Sequence, residues 1–255
     1  MANKRSAVPA VSSVRESTIS SIAAYAAYLE KKCDADDVLF RGQPEDLPLR
    51  PRIARLRLRT DLENSERRML QDFKLQALPL LRMQPSSDWD WLAVAQHHGM
   101  ATRLLDWTAN PMAALWFAVE KPANNGGPGV VWIFDTENAD YAKPENDEDP
   151  FSGNRTRLFR PRHITQRIIA QSGWFTVHKY LGKDKGFIPL ERNKLYKRRL
   201  TKLLIPAPNF PAIRRELDRL GFNAANLFAD LDGLCRHIQS RHSFERDEVP
   251  ADIEA

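Results

Sequence analysis

Cysteine is almost absent. Cys33 and Cys235 are the only two among 255 residues, far apart and in no metal-ligand spacing. Two such thiols cannot staple a fold, and a reducing cytoplasm is the simplest home for the chain. No apolar run approaches the roughly 20 residues that span a bilayer. The opening Met1–Ser12 lacks the apolar centre of a secretory signal, so a membrane is not an expected partner. Glycine is scarce, with 11 residues, none of them arranged as Gly-x-Gly-x-x-Gly or Gly-x-x-x-x-Gly-Lys-Ser/Thr. Rossmann and P-loop readings therefore have no support. A strong excess of one charge is missing as well: 38 Lys and Arg face 33 Asp and Glu, for a net +5. That balance suits an anionic partner such as a nucleotide or RNA, and it suits an ordinary solvated surface equally. No ligand spacing for a metal is present, and none is expected.

What is present is a globular composition, 42% hydrophobic and 28% charged. Ile19, Ile22, Ala23, Ala26 and Leu29 share one helical stripe, which predicts a helix over Ser17–Lys32. Val38–Arg41 is a short strand with Val38 and Phe40 on one face and Leu39 and Arg41 on the other. Gly42 then leaves the backbone open to a ligand. Helices follow over Asn64–Leu80, capped by Asn64 or Ser65, and over Asp88–His97, with Gly99 as C-terminal cap. Thr102–Trp107 is a strand. Asn110-Pro111 opens a helix over 111–120 that is apolar all round and therefore buried. Strands are expected over Val130–Phe134, Trp174–Val177 and Leu200–Ile205, and a helical turn or strand over Thr165–Ala170. Helices are expected over Pro211–Leu220 and Ala225–His242. Tyr141–Gly153 reads as a mobile acidic loop. Residues 1–15 read as a frayed arm, 16–242 as one domain, and 243–255 as a charged, disordered tail. Strands and helices mix without a regular βαβ order, which predicts an α+β fold around a mixed or antiparallel sheet, with N-terminal and C-terminal helices.

Several residues carry candidate chemistry. Arg41 at a strand tip suits bidentate capture of a phosphate or carboxylate, and it equally suits an ion pair with Asp106 or Glu66. His97 and His98 are about 100° apart on a helix, so only one can face a cleft. That one is a candidate acid or base, and a carbonyl-satisfying helix end is the plain alternative. Asp106 can orient a histidine or pair with Arg41 or Arg103. Thr108 and Asn110 fit helix capping, and the helix they precede also favours an anion. Trp107 is a core residue or a stacking platform. Arg50, Arg52, Arg55, Arg57 and Arg59 alternate with Ile53, Leu56 and Leu58, as a phosphate-tracking strip or a solvated cover over core.

The run Leu39-Phe40-Arg41-Gly42-Gln43 resembles the motif that names the FRG-domain family. The likeness continues through Trp91-Leu92…Ala95-Gln96-His97-His98-Gly99 and Thr102-Arg103-Leu104-Leu105-Asp106-Trp107-Thr108…Asn110-Pro111, and extends over about 38–235. The block order is also similar to that of the ADP-ribosyltransferase superfamily. There a first strand ends in Arg-Gly, a middle strand carries Ser or Thr, and the next helix reads Ala-x-x-Phe-Ala. Arg41-Gly42, Thr108 and Ala114-Leu115-Trp116-Phe117-Ala118 take those places here.

The resemblance implies NAD as substrate and a contact set of Arg41, Gly42, Gln43, Gln96, Arg103, Trp107, Thr108, Asn110 and Arg167. It further implies catalytic roles among Arg41, His97, His98, Asp106 and Gln171. The arginine-containing branch of that superfamily also has a glutamate shortly before its last strands. Residues 166–173 contain no acid, and Arg167 and Gln171 stand there instead. A glutamine can hydrogen-bond a ribose hydroxyl but brings no negative charge to a developing cation, which leaves Asp106 as the nearest carboxylate. The implied role is a bacterial toxin or phage-defence effector acting by ADP-ribosyl transfer or NAD cleavage. Two alternatives stay open: a metal-independent ribonuclease, and a non-catalytic sensor of a nucleotide or phage protein. Implied partners are a nucleotide, nucleic acid along Arg50–Arg59, and an antitoxin or phage protein.

Overall fold

Alternation along one short strand organises the molecule. A computed structural model describes residues 14–32, 37–81, 83–143, 149–161 and 170–248. In it β2 (Val38–Gln43) turns Val38 and Phe40 into one apolar cluster, with Ala114, Val131, Leu203 and Phe210. It turns Leu39 into another, with Leu105, Trp107, Trp132 and Tyr196. The strand is buried on both faces, which requires layers on both sides of its sheet.

Among the described residues that sheet has seven strands. They are β1 (Arg15–Thr18), β2, β3 (Leu104–Thr108), β4 (Gly129–Asp135), β5 (Arg157–Phe159), β6 (Gly173–Val177) and β7 (Leu200–Ile205). Their order is β1-β7-β4-β2-β3-β6-β5, and only β1 and β7 pair in parallel. The expected α+β class with a mixed sheet is what the chain adopts. The helices are α1 (Ile22–Lys32), α2 (Leu62–Ala77), α3 (Asp88–His97), α4 (Pro111–Val119), α5 (Phe210–Arg219), α6 (Ala224–Phe228) and α7 (Leu231–Ser240). Helices α1, α4 and α5 cover the Phe40 face of the β4-β2 half, while α2 and α3 pack with Leu104, Phe159, Phe175 and Val177 of the β3-β6-β5 half.

Four expectations are corrected. The stretch from Ser17 does not begin a helix. Arg15–Thr18 adds to the sheet edge in register with Thr201–Leu204, and the helix waits for Ile22, its first turn held by Ser21 Oγ accepting from Ala24 N–H at 3.1 Å. Asp61, not Asn64 or Ser65, caps α2, accepting from Asn64 N–H at 3.0 Å. The single C-terminal helix is two, broken where Ala229 takes a left-handed φ of 49° and Asp230 caps the next segment. The segment after Ser243 is docked rather than loose through residue 248. Arg214 donates to Asp247 and Glu248, and Arg246 donates to Ala123 O at 3.0 Å. Of Tyr141–Gly153, expected as a mobile loop, residues 144–148 lie outside the described residues. Phe151 there is sandwiched between the Arg67 and Arg103 guanidiniums at 4.7 and 4.6 Å. The expectation for Thr165–Ala170 falls almost wholly outside the described residues.

Gly42 is required by the packing of the chain itself. A Cβ there would stand 1.9 Å from the Ala114 carbonyl oxygen and 2.8 Å from Ala118 N and Phe117 Cβ. The approach it permits is that of α4 onto β2, and buried backbone cannot yield to an added methyl. Gly42→Ala should therefore destabilise the fold by about 3 kcal/mol or more, read as a fall in the urea unfolding midpoint. An unchanged midpoint contradicts this packing.

Candidate functional site

The sheet is joined unevenly at its centre. β2 pairs with β4 along all of Val38–Gln43, and β3 pairs with β6 along all of Leu104–Thr108, yet β2 meets β3 only through Phe40 and Thr108. Beyond that point the strands part, and backbone groups that would have closed a ladder need other partners. Arg41 supplies one: its Nη1 donates to the Asp106 carbonyl at 2.7 Å and lies 3.6 Å from Asp106 Oδ2. The guanidinium thus bridges the gap where strand pairing stops.

A cavity of about 440 Å³ opens at this gap. Phe40 and Phe117 reach it from the α4 half, and Leu104 and Phe175 from the α3 half. Polar lining comes from Arg41, Arg50, Arg52, Arg55, Gln96, His97, Asp106, Thr108 and Gln171. Arg41 is largely buried and Asp106 mostly open, with side chains 20% and 62% exposed. Burial, and to a lesser extent Arg55, draw the Arg41 guanidinium below its usual basicity, against the opposing pull of Asp106. Its Nε is buried without a partner.

Asp106 is positioned by a chain of hydrogen bonds whose direction is fixed. Leu104 N–H donates to Thr102 Oγ1 at 3.1 Å, so that hydroxyl's proton is free to go to Gln96 Oε1, 2.5 Å away. The Gln96 amide is thereby oriented with Nε2 toward Asp106 Oδ1, at 2.9 Å. A carboxylate that receives both Gln96 and Arg41 is held as an acceptor facing the cleft.

The expected histidine pair divides. His97 ends α3 and lines the cleft, whereas His98 is the exposed C-cap, its N–H bonded to Val94 O and its ring edge-on to His97 at 4.8 Å. Arg103 does not reach the cleft. It is buried against Glu66, with Nη2 to Oε2 at 2.7 Å and its own N–H to Oε1 at 2.9 Å. Trp107 is buried in the core, its Nε1 donating to Thr176 Oγ1 at 3.0 Å, and it also contributes to the cleft lining. Asn110 caps α4 through Met112 and Ala113 N–H. Thr108 Oγ1 donates to Gln171 O at 2.5 Å and accepts from Asn110 N–H, and Gln171 Nε2 donates to Leu227 O at 3.0 Å. Thr108 and Gln171 therefore border the cleft with those atoms already committed. Gln43 is buried beside Leu47 and outside the lining. Arg167 lies outside the described residues.

Sequence reasoning missed Thr102, which orients Gln96, and His178. The latter is buried next to Arg103, whose carbonyl accepts its N–H at 3.1 Å, and its Nε2 lies 3.1 Å from Thr176 Oγ1. Burial first, and then the Arg41 and Arg103 charges, push its pKa down to about 3. No periodicity or motif marks His178, and Thr102 stands in the family-like run 102–108 with no role that spacing reveals.

Among the described residues no helix is long and apolar enough to cross a membrane, and no group of three or more His, Cys, Asp or Glu is placed to hold a metal ion. The fold and cleft define an α+β protein with an arginine-walled cavity at the split of a mixed sheet. Residues 36–126, which run from β2 past α4 and include Phe40-Arg41-Gly42, match the family model described as the FRG domain. An FRG domain is thus present over that stretch, a narrower span than the 38–235 over which the sequence resembles the family. Neither the curated proteins nor the solved structures contain a match.

Two predictions follow from the buried charges. Glu66→Ala strands Arg103 in the interior and should cost about 3–5 kcal/mol of stability, seen in the urea midpoint; a loss under 1 kcal/mol on the order of a surface pair contradicts the pairing. His178 stays neutral in the folded state, with a pKa near 3 against 6.5 for the free side chain. Its contribution is full above that free value and is lost as pH falls through it, at up to about 1.4 kcal/mol per pH unit. His178→Gln should flatten the fall in unfolding free energy between pH 6.5 and 5; an unaltered slope contradicts the burial.

Proposed function

We propose that the cleft binds a nucleotide, NAD, and that the protein acts by ADP-ribosyl transfer or NAD cleavage as a toxin or phage-defence effector. The observation that carries this reading is the pairing, in one cavity, of the buried Arg41 guanidinium with the exposed, pre-oriented Asp106 carboxylate. Arg41 would hold phosphate, for which a guanidinium fork is suited. Loss of nicotinamide from NAD leaves positive charge on the ribose, and Asp106, fixed by Gln96, would face that charge in place of the glutamate lacking from 166–173. Aromatic walls from Phe117, Trp174 and Phe175 favour a planar ring.

A ribonuclease needs an acid and a base. Of the two histidines only His97 lines the cleft, since His98 faces solvent, so this reading would have to pair His97 with Asp106, the carboxylate that the NAD reading uses. An antitoxin or phage-protein partner remains part of the effector proposal.

Asp106→Asn retains the Gln96 and Arg41 neighbours while removing the charge. Its nicotinamide release should fall by about 100-fold or more, with NAD affinity altered by only about three-fold. Equal turnover in Asp106→Asn contradicts the catalytic role. Tight NAD binding without any nicotinamide release in the wild type would make the cleft a sensor.

A further inference from the structure

Arg50, Arg52 and Arg55 also line the cavity, and the reading above gives them no work. Arg52 and Arg55 stand on one 3-10 helix, Arg52–Arg55. With three residues per turn, i and i+3 eclipse, so both guanidiniums leave the same face. Fully buried Ile53 anchors the turn, and its N–H donates to Thr102 O at 3.4 Å. Each fork is steered by one main-chain carbonyl: Arg52 Nη1 donates to Gly99 O at 3.1 Å, and Arg55 Nη2 to Pro48 O at 3.2 Å. These contacts aim the side chains without supplying negative charge. Arg50 adjoins them with its Nε buried and unpartnered.

Among the described residues, no carboxylate lies within ion-pair distance of Arg50, Arg52 or Arg55. Together with Arg41 they face a cavity whose one acidic lining residue is Asp106, and Arg55 is close enough to Arg41 to oppose its charge. Asp106 beside Arg41 and the more distant Glu191 near Arg50 offset only part of this charge; clustered like charges destabilise a fold, and such local conflicts are expected where a ligand resolves them.

We infer that the Arg52–Arg55 turn is a second phosphate grip beside Arg41, so that the cleft selects ligands with two linked phosphates over ligands with one. This rests on the nucleotide reading of the cleft and adds the substrate feature it recognises. A monophosphate can satisfy one fork; a diphosphate reaches Arg41 at one end and the paired forks at the other. A cavity of about 440 Å³ suits a small ligand, whereas a nucleic-acid strand needs an open track.

The test is calorimetric titration of the full chain with AMP, ADP, ADP-ribose, NAD and a single-stranded RNA oligonucleotide. ADP and ADP-ribose should bind about ten-fold or more tightly than AMP. The double variant Arg52→Gln, Arg55→Gln should erase that preference, keep AMP affinity, and leave the thermal midpoint unlowered, because relieved repulsion offsets the lost carbonyl contacts. Equal AMP and ADP affinities in the wild type overturn the proposal. So does a variant that loses all ligands uniformly with a lowered midpoint, or RNA binding tighter than ADP. Discrimination of ADP from AMP without NAD binding keeps the second grip and removes the NAD reading alone.

Discussion

The structure depends on one substitution of hydrogen-bonding partners. Where β2 and β3 stop pairing after Phe40 and Thr108, the Arg41 guanidinium takes the Asp106 carbonyl that a neighbouring strand would otherwise satisfy. A backbone ladder would have closed the sheet; a long cationic side chain spans the same gap and leaves room beside it. The cavity, the exposure of Asp106 and the burial of Arg41 all follow from that single exchange.

Around this bridge the charges are divided by function. Buried Arg103 is matched by Glu66, and Arg199 by Asp140, so each is neutralised within the fold. At the cavity Arg41 has Asp106, whereas Arg52 and Arg55, on the turn anchored by buried Ile53, have no ion pair among the described residues. Phe151, clamped between Arg67 and Arg103, ties the segment beginning at residue 149 to the paired region rather than to the cleft.

Much of this was legible in the residues. The alternation Val38/Phe40 against Leu39/Arg41 placed the guanidinium on the correct side of its strand. Asn110-Pro111 marked the cap of α4, and Gly99, at φ +91°, marked the end of α3. The edges were less legible. Arg15–Thr18 carries no strand pattern and is held by pairing with β7, a tertiary effect that local propensity does not encode. Gly42 was read as an opening for ligand because sequence cannot say which body approaches a glycine. In the sequence Asp106 could pair with Arg41 or Arg103, and Arg41 with Asp106 or Glu66; only the geometry sends Arg103 to Glu66 and leaves Asp106 with Arg41 in the cleft. The relay through Thr102 was invisible because its partners are set by a turn, not by spacing.

The central claim is that Arg41 and Asp106 flank an anion-receiving cavity and are not merely a structural pair. A crystal structure of the protein with ADP-ribose tests it most directly. The account predicts phosphate oxygens within hydrogen-bond distance of Arg41 and of the Arg52–Arg55 turn, with the ribose beside Asp106. Ligand bound elsewhere, with the cavity empty and the Arg41–Asp106 contact unaltered, would contradict it.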